Sequence, residues 1–169
     1  NTLAPFFRQP TRDVHAREAA KMLRVTPATA SARLKVLAKE GLLRHRKERI
    51  LDLYRANLES EAFRDLKVYD TIRRLRTSGL MEALNAFYQK PTVILFGSAA
   101  KGFDVETSDL DLVVIPERTD ALEDAPRFGR KLGRPLQIFA VRHLRDLRNS
   151  HLINSALNGI VLQGEITWT

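Results

Sequence analysis

The chain has 169 residues, 44% of them hydrophobic and 28% charged, which fits one large or two small globular domains and excludes wholesale disorder. It has no cysteine, excluding disulfides, thiolate catalysis, zinc–thiolate sites and iron–sulfur clusters, and its apolar runs (Leu112 to Ile115, for example) fall far short of the roughly 18–20 residues of a membrane span. The formal net charge of +8 is concentrated in the first third, where residues 1–58 hold 13 Lys/Arg against 5 Asp/Glu, while residues 91–169 hold 9 against 10.

That asymmetry predicts a polyanion-binding module attached to something else; the alternative is a basic solvated face with no partner. No signal-peptide pattern is visible, and the expected compartment is the cytoplasm. In chain order, Ala16, Ala19, Ala20 and Leu23 recur at helical spacing and predict a helix over His15–Arg24. Thr26-Pro27 then gives a cap followed by proline at the first helical position. This starts a second helix that runs to about Glu40, with Ala30, Leu34, Leu37 and Ala38 as its apolar stripe and Gly41 at its end. Two short helices joined by about three residues match a helix-turn-helix. Leu42-Leu43, a charged turn over Arg44–Arg49 and Ile50–Tyr54 predict a β-hairpin, although the turn lacks Asn-Gly or Asp-Gly.

The segment Thr26–Leu43 resembles the recognition helix of winged-helix transcription regulators, over roughly residues 5–57. The resemblance implies DNA as partner. It turns Thr29, Ser31, Ala32, Arg33 and Lys35 toward the major groove or its phosphates and places Arg44, Arg46, Lys47 and Arg49 on the wing. Arg33 is the candidate for direct base reading and the others for phosphate contacts. Winged helices also serve as protein-interaction modules, which is the competing reading. Residues 58–90 predict a helical linker: one helix to Ser78, a break at Gly79, and a second helix ending before Pro91. This segment either packs onto the second domain or forms a homodimer interface.

Thr92–Phe96 reads as a buried strand that runs into Gly97-Ser98-Ala99-Ala100-Lys101-Gly102, small residues that let backbone amides approach a phosphate. Ser108-Asp109-Leu110-Asp111 opens a second strand through Ile115. Alternation along a strand puts Asp109 and Asp111 on one face, and two neighbouring carboxylates suit Mg²⁺.

Gly97-Ser98, Gly102 and Ser108–Leu112 together resemble the signature of the DNA polymerase β-like nucleotidyltransferases, specifically the minimal nucleotidyltransferases, over about residues 92–169. The resemblance implies that Gly97 and Ser98, with Lys101, Gly102 and Ser108 around them, hold a nucleoside triphosphate, and that Asp109 and Asp111 hold Mg²⁺. It also implies a third carboxylate on a following strand. That strand reads Pro135–Val141 here and carries Gln137 instead, and Lys101 stands where the family often has Arg. A neutral amide is no general base. A helix over Ala121–Lys131, helical stretches at His143–Asn149 and Leu152–Leu157, and a closing strand Ile160–Leu162 complete the reading; His143 and His151 are expected at the surface or at helix ends.

The expected fold class is α+β: a winged-helix domain (1–57), a helical linker (58–90) and a small mixed α/β nucleotidyltransferase-fold domain (91–169). The expected function is a DNA-binding transcriptional regulator whose second domain transfers a nucleotidyl group to a protein or small-molecule hydroxyl. Two alternatives stand beside it. One is a catalytically degenerate nucleotide-sensing regulator. The other is the antitoxin of a minimal nucleotidyltransferase toxin–antitoxin pair, with the cognate toxin as partner.

Overall fold

The computed structural model describes residues 1–167; Trp168 and Thr169, the last two of the expected 91–169 domain, lie outside the described residues. The chain divides into two compact units, Asn1–Asp70 and the remainder from Thr71 on.

The first unit runs α1 (Ala4–Arg8), β1 (Val14–His15), α2 (Ala16–Leu23), α3 (Pro27–Lys39), β2 (Leu43–Glu48) and β3 (Leu51–Ala56), followed by the first part of α4 (Glu61–Thr77). Its antiparallel sheet has the order β1-β3-β2. Helix α2 starts where the His15 ring accepts the Glu18 amide and stops at Arg24, which takes a left-handed φ of 53°. Helix α3 starts as its sequence requires: the Thr29 amide donates to the Thr26 hydroxyl at 3.2 Å, and Pro27 needs no partner for a missing N–H. Its stripe buries Ala30 and Leu34 completely, against Phe6, Phe7, Ala19, Ala20, Tyr54 and Phe63. Burying each large apolar side chain in such a core contributes about 1.5–3 kcal/mol.

The hairpin forms, but its charged residues are not its turn. Arg44–Glu48 belong to β2, in register with β3 from Arg44↔Arg55 to Glu48↔Leu51, so the chain reverses at Arg49-Ile50. The reason is positional. β2 is an edge strand with only Leu43 buried, so its sequence carries no apolar alternation to mark it as a strand. Arg49 itself adopts the positive φ (54°) that Asn or Gly would usually supply.

The second unit contains the rest of α4, α5 (Leu80–Tyr88), β4 (Thr92–Phe96), α6 (Gly97–Ala100), β5 (Leu110–Ile115), α7 (Ala125–Leu132), β6 (Leu136–Ala140), a 3₁₀ turn (Leu144–Leu147), α8 (Ser150–Leu157) and β7 (Ile160–Gln163). The sheet order is β6-β5-β4-β7; β4 runs antiparallel to β5 and β7, and β5 runs parallel to β6. The central strands are the two apolar, β-branched runs, buried on both faces. Val93, Leu95, Leu112 and Val114 meet Leu80, Leu84 and Tyr88 of α5 and Phe128 and Leu132 of α7. Ile94, Phe96 and Val113 meet Ala156 of α8 on the other side. Two expected helices shrink: Ala121–Lys131 becomes Ala125–Leu132, with Pro126 in its first turn, and His143–Asn149 becomes the four-residue 3₁₀ turn, with the His143 ring and the Asp146 carboxylate capping its start.

Candidate functional site

The site lies where β4 ends and β5 begins. Antiparallel pairing sets Phe96 opposite Asp111, so the next residue, Gly97, arrives directly over that aspartate. Gly97 has φ +74°, and a Cβ built there would stand 2.6 Å from Asp111 Oδ2. Only glycine lets the backbone pass this close to the carboxylate. Gly97 opens the four-residue helix α6, whose first turn has no side-chain cap. Lys101 follows, exposed, and Gly102 is buried, with the Phe103 amide donating back to the Ser98 carbonyl at 3.0 Å. The Ser108 hydroxyl accepts the Val105 amide at 2.9 Å and so closes the turn that leads to Asp109.

Asp109 and Asp111 flank the buried Leu110 and are themselves half-exposed. Burial, and then the negative charge of Asp109, push the Asp111 carboxyl above its ordinary value of 3.8. Among the described residues no Lys, Arg or His pairs with either aspartate. Their neighbour is an amide. Parallel pairing places Gln137 of β6 level with Asp111, and Gln137 Nε2 donates to Asp109 Oδ2 at 2.7 Å. The structure thus gathers Gly97, Asp109, Asp111 and Gln137 around one point. Asp104, which lies close to the motif in sequence, does not join the pair. It is buried and ion-paired with Arg134 at 2.9 Å, a link between the loop after α6 and the chain just before β6. Thirty residues separate the two, and no spacing rule in the sequence points to that pair.

A divalent cation fits this donor set. Two carboxylates lie side by side with no compensating basic side chain among the described residues, and one of them is partly desolvated, a cost that a cation relieves.

In the first unit the candidate DNA-contacting residues separate into two groups. Arg33, Lys35, Lys47 and Arg49 are exposed, as is Ala32. Arg44 pairs with Glu59 and bonds Asn57, while Arg46 pairs with Asp13 and Glu48, so their charge is largely answered within the unit. Thr29 shares its hydroxyl with Thr26 (2.9 Å), and Ser31 is half-buried. Sequence reading missed Asp13, which is bound by Arg46 and, through two bonds of 3.1 and 2.8 Å, by Arg55.

No curated protein matches the chain. Residues 78–149 match the family model described as the nucleotidyltransferase domain, a span that includes Gly97, Asp109, Asp111 and Gln137. Over that span, which is less than half of the chain, the second unit is similar to that family, and the architecture of the chain is mixed α+β.

Proposed function

We propose that the second unit binds a nucleoside triphosphate together with Mg²⁺ for nucleotidyl transfer to a hydroxyl. One observation carries the reading: two half-buried carboxylates stand together with no basic partner among the described residues, and one of them, Asp111, lies so close to Gly97 that any side chain there would collide with it. Asp109 and Asp111 would hold the metal, which when bound neutralises phosphate charge and lowers the pKa of an attacking hydroxyl. The uncapped first turn of α6 and Lys101 offer donors and positive charge to the phosphates. The glycine at 97 keeps that turn close enough for protein and phosphate oxygens to share one cation. The test is equilibrium binding of labelled ATP, CTP, GTP and UTP with and without Mg²⁺, with pyrophosphate release followed in parallel. Asp111→Ala is expected to weaken Mg²⁺-dependent binding by about 100-fold, at or beyond the upper end of losses seen for groups that only support metal ligands. Undiminished binding by that variant overturns the assignment.

A second reading concerns the first unit, which we propose is a winged-helix DNA-binding module and the chain a regulator. It is supported by the element order α1-β1-α2-α3-β2-β3 and by the exposure of Arg33 and Lys35 on α3 and of Lys47 and Arg49 on the hairpin. Arg33→Ala is expected to cost about 1–3 kcal/mol of affinity on a selected duplex, whereas Lys47→Ala weakens all sequences alike and reduces the salt slope by about one. Binding that is insensitive to salt argues instead for a protein-interaction module.

A further inference from the structure

We infer that Gln137 is a neutral positioning residue that restricts the carboxylate site to one divalent cation; the inference rests on the nucleotide-binding reading above. An ionised carboxylate only accepts hydrogen bonds, so the amide facing Asp109 presents its nitrogen, and the 2.7 Å contact occupies one lone pair of Asp109 Oδ2. That nitrogen carries two protons and no lone pair for a cation. The amide lies level with Asp111 on the neighbouring parallel strand, so it borders the acidic pair on that side.

Charge points the same way. Among the described residues no third His, Cys, Asp or Glu groups with Asp109 and Asp111 to hold a metal. A bound triphosphate brings oxygens to the cation that accompanies it. A second cation in a paired site lies roughly 3.5–4 Å from the first and repels it, so it depends on protein oxygens. Here an amide proton occupies one lone pair of an Asp109 oxygen, and the adjoining side chain adds no charge.

The experiment is electron paramagnetic resonance of the full chain titrated with Mn²⁺ in the presence of the α,β-methylene analogues of ATP, CTP, GTP and UTP. The protein is expected to show one bound, magnetically isolated ion. Gln137→Glu is expected to show two ions per chain with an exchange-coupled spectrum, a change that a purely structural role would not produce. Gln137 is exposed on an edge strand, so the variant keeps the fold, which circular dichroism checks. A coupled pair in the unaltered protein overturns the inference and needs no variant at all. So does an isolated single ion in Gln137→Glu. An unaltered protein that binds no ion with any analogue overturns the nucleotide-binding reading itself, an outcome distinct from the other two.

Discussion

In the first unit the carboxylate of Asp13 is gripped by two guanidiniums, whereas in the second unit Asp109 and Asp111 stand beside each other with an amide and, among the described residues, no basic side chain against them. The environments move the two units' acids in opposite directions. Hydrogen bonds from Arg55 and then Arg46 hold Asp13 below its ordinary 3.8, while burial and then Asp109 lift Asp111 above it. The basic surface that dominates the composition is thus partly answered within its own unit. The acidic pair, almost invisible in the net charge, is not. An uncompensated pair of modest size says more about a missing ligand than a large charge that the fold already balances.

The comparison can be broken at its points of greatest cost first. Arg134→Ala leaves the buried Asp104 carboxylate without its guanidinium, so unfolding in urea should show a loss of about 3–5 kcal/mol; a loss below 1 kcal/mol would mean the pair is incidental. Asp13→Asn should cost about 1 kcal/mol, because it releases two partly exposed arginines. Its pH signature is definite. A carboxyl with a lowered folded pKa stabilises above its unfolded value, and that contribution is lost as pH falls from 3.8 through the folded value. The acid limb of the stability curve should therefore flatten in the variant.

Asp111→Asn should have the smallest effect and the opposite sign, a gain of roughly 0.5 kcal/mol at neutral pH from removing a partly buried charge and its repulsion with Asp109. Because the folded pKa of Asp111 is raised, its ionisation costs stability above that value, and the cost fades as pH falls toward 3.8. The gain should accordingly shrink on acidification, as thermal melts between neutral and acid pH would record. A destabilised Asp111→Asn at neutral pH would show that the aspartate is answered by something other than an absent ligand.

Legibility followed burial. β4 and β5 declared themselves because strands covered on both faces are continuous apolar runs, and α3 because its cap, proline and stripe agree. β2 was misread as a turn because five of its six residues face solvent. β1 is two residues long and α1 five, too short for any period to register. The resemblance, rather than any local pattern, points to Gln137 on the strand beside the acidic pair, and the strand register sets it level with Asp111. The Asp104–Arg134 pair depends on two loops meeting in space and leaves no local trace.

β6 closes the sheet on its outer side, and its glutamine side chain lies open to solvent. Nothing in the interior has to be rebuilt when that side chain is exchanged, and the codons for glutamine and glutamate differ by a single base. The position with the greatest leverage over the ionic character of the cleft is therefore among those the architecture constrains least. A point mutation there can change the charge beside Asp109 and Asp111 while the scaffold stays intact.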